Sequence, residues 1–235
     1  MKIEDYEKLI NQSISNVIDT IINKNLILNI SAKSRAGAEI SNFLEDEFVK
    51  EVNNNSYEYL KSATSSPKGA TKNPWDAKLI FKYKDNEEEI WIDFKAFKLS
   101  QQGSNPDIGT PNKIIKFIKT GNFYLLYIYV FYDENDNGLK FEKVNNSYIK
   151  SYFLKDVNHT FRRNPKNQLQ ISLLADPEYR SREEFIKLFF KKIKESYKRE
   201  IKKSSDGLKS ISNSEIEILE INKKQEIHLI KILNN

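Results

Sequence analysis

The N-terminal part of the chain carries apolar residues at helical spacing. Residues 3–22 hold one apolar stripe that predicts an amphipathic helix, made of Ile3, Tyr6, Ile10, Ile14, Val17 and Ile21. A second helix is expected to begin at Ser34, a candidate N-cap, and to bury a face that includes Phe48. We expect the first stripe to pack in a core, with a subunit interface as the alternative.

The next pattern predicts a β-hairpin. Residues 79–84 and 89–95 are rich in aromatic and β-branched side chains, and the polar segment 85–88 separates them. Successive side chains of a strand point to opposite faces. The apolar side chains of the second strand therefore face a core, whereas Asp93 and Lys95 share the opposite face.

Beyond the hairpin, the pattern changes between helix and strand. Thr110 and Pro111 predict the start of a helix that Gly121 ends. Residues 123–132 form an apolar run that is typical of a strand covered on both faces, and residues 139–144 predict a further strand. The order of these elements predicts an α/β fold.

The end of the chain predicts one helix and a second, weaker element. A capping-box spacing that begins at Ser181 predicts a helix to about residue 203. Residues 215–233 alternate isoleucines with polar residues and predict a hairpin. We expect a single domain over residues 1–235, in which residues 204–235 are an appendage.

Composition narrows the classes of protein. The 235 residues include no cysteine and only two histidines, which excludes disulfides and thiolate zinc sites and argues against a zinc cluster. The net charge of +5 is compatible with a polyanionic partner. The N-terminus lacks a signal-peptide pattern, and the longest apolar run is shorter than the ~20 residues of a membrane helix. We therefore expect a cytoplasmic protein.

Three charged residues of the hairpin suggest phosphodiester chemistry. Asp76, at the mouth of the first strand, approaches Asp93 if the hairpin register holds, and Lys95 lies on the same face. Two carboxylates can hold a hard cation such as Mg2+, which acidifies a bound water and neutralises charge on a phosphodiester. A lysine can orient or deprotonate that water. From these residues alone, a solvated strand end with an ion pair is an equal alternative.

The same residues resemble a known nuclease motif. Pro74-Trp75-Asp76 followed by Asp93-Phe94-Lys95 resembles PD-(D/E)xK, with one residue inserted between the proline and the first acid. Further blocks resemble the SwaI family of type II restriction endonucleases. The likeness extends to about residue 203, and the blocks are residues 35–39 with 44–48, 73–77, 90–98 and 105–113.

The resemblance implies a fold and a set of site residues. The fold is a PD-(D/E)xK restriction-endonuclease-like core with a central mixed sheet flanked by helices. Asp76, Asp93 and Phe94 are the implied metal ligands for Mg2+, and Lys95 is the implied catalytic lysine. In the family an acid on the early helix borders the site, which makes Glu39 a further catalytic candidate. An ordinary solvated glutamate is the alternative for that residue.

Polar segments around this site offer candidate DNA contacts. Lysines suit phosphates, and amides can pair with the N6 and N7 atoms of adenine. An exposed basic loop is the alternative for residues 159–171. The candidates are Lys68, Lys72, Gln101, Gln102, Asn105, Arg162, Arg163, Asn167, Gln168 and Gln170.

The sequence therefore predicts a Mg2+-dependent type II restriction endonuclease that cuts double-stranded DNA at a palindromic site. The resemblance implies the site ATTTAAAT, cut to blunt ends, and a cognate DNA methyltransferase in the same system. A two-fold site is most simply met by a homodimer. The alternatives are another PD-(D/E)xK nuclease, for repair or for particular DNA structures, and a non-catalytic DNA-binding protein. The intact catalytic residues argue against the last.

Overall fold

The computed structural model describes residues 1–30, 36–67, 74–101, 105–136 and 138–233. Its α-helices are α1 (Ile3–Lys24), α2 (Ala36–Asn54), α3 (Pro111–Lys119) and α4 (Arg182–Leu233). Its strands are β1 (Ile27–Leu28), β2 (Leu60–Ser65), β3 (Ala77–Tyr83), β4 (Asn86–Lys98), β5 (Asp107–Gly109), β6 (Leu125–Asn135), β7 (Gly138–Phe141), β8 (Ile149–Phe153), β9 (Arg162–Arg163) and β10 (Leu169–Gln170).

A mixed sheet forms the centre of the fold. Its described strands lie in the order β1-β7-β6-β4-β3-β2, and β8 also pairs with β6. β4 and β6 run parallel, whereas β3 and β4 form the predicted antiparallel hairpin. With helices on both faces, this arrangement confirms the predicted α/β fold with a central mixed sheet flanked by helices.

Helices α1 and α2 cover one face of the sheet. Most of the apolar stripe of α1 is buried in the main core, as Ile10, Ile14 and Ile21 show, whereas Ile3 at its start is 69% exposed. From α2, the ring of Phe48 packs edge-on against Phe94 of β4, with 5.9 Å between centroids. The predicted N-cap of α2, Ser34, lies outside the described residues.

Helix α3 covers the opposite face of β4. The ring of its Phe117 lies 4.9 Å from that of Trp91, and Trp91 shares its face of the strand with Asp93 because side chains alternate. Thr110 caps the helix as predicted, since its side chain accepts a hydrogen bond from the backbone N–H of Lys113 at 3.3 Å. The cap fixes the start of α3 beside the face that carries Asp93.

Strand β6 is buried on both faces, as its apolar run predicts. Residues 125–132 are at most 6% exposed. The parallel register places Tyr127 beside Asp93, so this strand forms one wall of the face that carries the acid-base pair. None of the described helices is both long enough and apolar enough to cross a membrane.

The chain divides into two compact units, Met1–Phe189 and Phe190–Asn235. In the first, the predicted capping box at the start of α4 is present. The backbone N–H of Ser181 donates to Oε2 of Glu184 at 2.7 Å, and the backbone N–H of Glu184 donates to the Ser181 hydroxyl at 3.2 Å.

The second unit is helical as far as Leu233, so the predicted hairpin over residues 215–233 is wrong. Alternation of isoleucines is only local there, because the apolar residues from 201 to 230 recur at spacings that suit a helix. Residues 222–224 also contain no glycine or proline that would turn the chain.

Candidate active site

The backbone of β4 fixes Asp76 at the end of the hairpin. The N–H of Asp76 donates to the carbonyl oxygen of Ile92 at 2.8 Å, which extends the β3–β4 pairing by one residue. Oδ2 of Asp76 then accepts a hydrogen bond from the N–H of Phe94 at 2.7 Å. The carboxylate of Asp76 is thereby held against the segment of β4 that carries Asp93.

Asp93 and Lys95 form an ion pair on the polar face of β4. Nζ of Lys95 lies 2.5 Å from Oδ2 of Asp93. Asp93 is only 9% exposed, and Lys95 is partly buried. The register of the hairpin thus brings Asp76, Asp93 and Lys95 together, as the sequence predicts.

The electrostatics of this cluster are those of crowded, buried charges. The pKa of Asp76 is raised to about 7, first by burial and then by the charge of Asp93, against the lowering effect of Lys95. Burial also raises the pKa of Asp93. Burial lowers the pKa of Lys95, but Asp93 and Asp76 outweigh it and the net shift is upward. Lys95 is therefore cationic, and its charge interacts with the carboxylates of both Asp93 and Asp76.

This donor set fits a hard cation. A metal ion beside Asp76 and Asp93 would offset the repulsion that, after burial, raises the pKa of Asp76. The carbonyl oxygen of Phe94, the third predicted ligand, accepts a hydrogen bond from the Ser41 hydroxyl at 3.2 Å. Over the described ranges, no cluster of three or more His, Cys, Asp or Glu side chains could hold a metal. Backbone oxygen and water would complete the shell, as Mg2+ accepts.

Two acids of α2 differ in their relation to the site. Glu39, the predicted acid, is exposed. Glu45 is partly buried, and its charge contributes to the raised pKa of Asp76. The pKa of Glu45 is itself raised by burial, against a hydrogen bond from Ser65. Glu45 was missed by the sequence reasoning, although it shares a helix face with Ser41, which contacts β4.

Two charged residues near α3 also act on the cluster and were missed. Lys113, in the first turn of α3, lowers the pKa of Asp93, and Asp107 of β5 raises that of Lys95. Both lie in the block 105–113, which the sequence marks only by its resemblance. Their position beside the site depends on the path of the chain after β4.

A second sheet, β5-β10-β9, gathers most of the described candidates for DNA contact. Nε2 of Gln170 donates to Oδ1 of Asp107 at 2.8 Å and to the carbonyl oxygen of Asn105 at 3.2 Å. The hydroxyl of Tyr127, a buried residue of β6, donates to the carbonyl oxygen of Ile108 at 2.6 Å. The small sheet is thus bonded to the strand that runs beside Asp93.

The turn between β9 and β10 carries the other candidates. Arg163 is 8% exposed, and its Nε donates to Oδ1 of Asn167 at 2.7 Å. Arg162 is exposed. The backbone N–H of Gln168 donates to Oδ1 of Asn164 at 2.9 Å. The side-chain amide of Gln168 takes no part in that bond. The two arginines therefore have different surroundings.

One further candidate for DNA contact lies in a 3-10 helix. Gln101 ends the 3-10 helix Leu99–Gln101. Lys68, Lys72 and Gln102 lie outside the described residues.

The described residues thus place a buried acid-base cluster on the polar face of an interior strand of the mixed sheet, beside a small sheet that carries amide side chains. A family model described as SwaI-like, SwaI restriction endonuclease, matches residues 2–211. The chain therefore belongs to the SwaI-like family of restriction endonucleases. It is a site-specific deoxyribonuclease of type II that binds DNA.

The chain also resembles a solved restriction endonuclease in structure. The NlaIV restriction endonuclease is similar in structure, with a TM-score of 0.49 and 16% identity over 76% of this chain and 78% of that chain. No curated protein matches the chain.

Proposed function

We propose that this enzyme uses Mg2+ to cut both strands of the palindrome ATTTAAAT to blunt ends. The convergence of Asp76, Asp93 and Lys95 on one polar face is the observation that carries the chemistry. The A·T-only target rests on the resemblance to SwaI. A surface rich in Asn and Gln beside the cluster supports it, since these amides pair with adenine.

Each residue of the cluster has a distinct part in this proposal. Asp76, Asp93 and the carbonyl oxygen of Phe94 hold the metal, which when bound acidifies water and neutralises charge on the phosphate. In the metal-free protein, the charges of Asp93 and Asp76 outweigh burial and raise the pKa of Lys95. Beside a bound metal, Lys95 would orient or deprotonate the attacking water.

The small sheet suits base reading by Gln170. A bidentate contact with adenine needs Oε1 to accept from N6 and Nε2 to donate to N7. Nε2 has two hydrogens, and Asp107 and Asn105 accept both in this structure. Reading adenine with Gln170 therefore requires the side chain to exchange one of these partners for the base.

The β9–β10 turn suits phosphate binding by Arg162. An exposed guanidinium can reach a phosphate, whereas Arg163 is buried and bonds to Asn167, which holds the turn. We assign Asn167 to the same holding role and leave the Gln168 amide as a second candidate base reader. Alanine scanning of these positions separates base readers from phosphate contacts.

The assembly and the biological setting follow from the substrate. A palindrome has two scissile bonds related by two-fold symmetry, and one chain supplies one catalytic cluster, so we propose a homodimer on DNA. A nuclease with a short target would also cut its own genome, so we propose a DNA methyltransferase of the same specificity in the same cytoplasm.

A digest of bacterial genomic DNA with Mg2+, followed by sequencing of the fragment ends, tests the proposal. We expect discrete fragments with blunt ends centred on ATTTAAAT, and none from an Asp93→Ala control. A smear would support the alternative of a structure-selective or repair nuclease. A consensus with an obligatory G·C pair would exclude the proposed site, and absence of cutting by the unaltered enzyme would favour the non-catalytic alternative.

A further inference from the structure

Leu174 is an exposed apolar residue in the loop 172–176, which follows β10. Its side chain is 97% exposed, more than that of any other large apolar residue described. Its backbone N–H donates to the Ser172 hydroxyl at 3.3 Å. Single exposed apolar side chains are common in soluble proteins, so the structure of the loop has to show whether this one has a role.

Two side chains hold the backbone on both sides of Leu174. Nζ of Lys150 donates to the carbonyl oxygens of Leu173 and Ala175, at 2.9 Å each. Nδ2 of Asn158, a buried residue, donates to the same carbonyl oxygen of Ala175 at 3.0 Å. The loop therefore has a defined shape, and that shape keeps the leucine side chain in water.

The surroundings of Leu174 connect it with the candidate base readers. It borders a cleft of about 460 Å³ that Asn105 and Phe97 also line. The carbonyl oxygen of Asn105 accepts the hydrogen bond from Nε2 of Gln170. Phe97 lies on β4, four residues beyond Asp93. Leu174 thus lies beside the amides of the small sheet, at the end of the strand that carries the catalytic cluster.

The chemistry of DNA limits what a leucine can contact there. Its side chain has no hydrogen-bonding group, so it holds neither a phosphate nor a polar base edge. In the major groove the C5 methyl group of thymine is the apolar group of the base edges, whereas the minor-groove edges carry only acceptors and one donor. An exposed leucine beside candidate base readers therefore fits a thymine methyl group.

We propose that Leu174 recognises thymine by packing against its C5 methyl group in the major groove of the target. This assignment rests on the proposed function, because it needs thymine in the recognition site. The held backbone favours the contact, since little of the loop has to be ordered when DNA binds. Leu174 is then a specificity-determining residue that acts by apolar contact, beside amides that act through hydrogen bonds.

Deoxyuridine tests the contact, because it differs from thymidine only in lacking the methyl group. Sequencing of fragment ends first defines the target, and each of its thymines is then replaced in turn. The altered and unaltered duplexes compete in one digest with Mg2+, which gives the ratio of their kcat/KM values. We expect one thymine in each half-site at which the replacement lowers kcat/KM about fourfold, as for one buried carbon.

The variant Leu174→Ala should lose this sensitivity, so that the same replacement costs less than about 1.5-fold. The matched control is Leu208→Ala, at a leucine that is 68% exposed on α4, and it should keep the fourfold loss. Thermal unfolding checks that Leu174→Ala keeps the fold.

Equal deoxyuridine losses in Leu174→Ala and in the unaltered enzyme would overturn the assignment, as would no loss at any thymine. Insertion of the leucine between base pairs would overturn it too. In that case the fluorescence of 2-aminopurine in the target would rise on binding to the unaltered enzyme and not to Leu174→Ala. A thymine-containing target other than ATTTAAAT would appear in the fragment ends and would contradict the proposed function alone.

Discussion

The proposed catalytic residues Asp93 and Lys95 stand on β4, a strand of thirteen residues, and Asp76 directly precedes β3, a strand of seven. Most described candidates for DNA reading instead stand on or between strands of two or three residues. Backbone pairing and an ion pair hold the catalytic groups. The candidate readers are held by bonds between side chains, such as that from Gln170 to Asp107. Catalysis needs a fixed geometry, while base reading needs donors that can exchange a protein partner for a base.

The largest effect is expected in the cluster of Asp76, Asp93 and Lys95, which backbone pairing and an ion pair hold in place. Asp93→Ala should lower cleavage about 1,000-fold or more, because loss of a metal-ligand carboxylate removes several kcal/mol of transition-state stabilisation. Binding of the target should largely survive. A nicking assay and a filter-retention assay with Mg2+ measure the two effects. Substantial Mg2+-dependent cutting by this variant would show that Asp93 is not a ligand.

Substitutions of the candidate DNA-reading residues should have smaller, graded effects on binding. Gln170→Ala should cost about 1–3 kcal/mol on the proposed target and relax discrimination at one base pair. Arg162→Ala should instead weaken binding to every sequence alike and flatten its salt dependence. Competition binding to single-base variants of the target at several salt concentrations separates these cases. Equal losses on all sequences for Gln170→Ala would remove it from base reading.

A dependence on pH is expected only of the catalytic half. A proton on Asp76 competes with the metal, so at limiting Mg2+ cleavage should rise about tenfold per pH unit and level off above about 7, the pKa of Asp76. A pH–rate profile at two Mg2+ concentrations measures this, and the midpoint should fall as Mg2+ rises. DNA binding without metal should show no such step.

The same pKa has a consequence for the metal-free protein. The pKa of Asp76 is raised in the folded state, so its stabilising contribution is present below about pH 4 and is lost as pH rises to about 7. Asp76→Asn should remove this loss. Thermal unfolding at pH 5 and pH 8 checks the sign, and a variant that loses as much stability as the unaltered protein would contradict the assignment.

The smallest effect is expected from the acids of α2, and it decides between them. Glu45→Gln should lower the pKa of Asp76 and shift the pH–rate midpoint downward, because the charge of Glu45 raises that pKa. Glu39→Gln is the matched control on the same helix. A loss of activity only in Glu39→Gln would favour the acid predicted from the resemblance.

Local sequence patterns allowed the elements that hold Asp76, Asp93 and Lys95 to be predicted. The hairpin, the central strand β6 and the caps at Thr110 and Ser181 each depend on residues close in sequence. Their side-chain periodicity and polar ends are visible without the fold. The juxtaposition of Asp76 and Asp93 follows from the hairpin register alone.

The other elements around the site could not be predicted, because they depend on pairing and packing between residues that are distant in sequence. Strands β5, β9 and β10 are too short for a periodic signal, and β10 joins β5 from about sixty residues away in sequence. The face of α2 that meets β4 is set by packing, so Glu45 could not be told from Glu39. In the C-terminal segment, two alternating isoleucines outweighed the helical spacing of the longer stretch.

The hydroxyl of Tyr127 bears on how fast the enzyme could search DNA. Breaking its buried bond to the Ile108 carbonyl would leave both groups unpartnered, at a cost of about 1–3 kcal/mol. The backbone of β5 therefore stays in place under the proposed exchange of partners by Gln170, and only a partly buried side chain has to move. Under that proposal, testing and rejecting a wrong sequence needs no rearrangement of the backbone, which shortens the time spent at each of the many non-target sites along a genome.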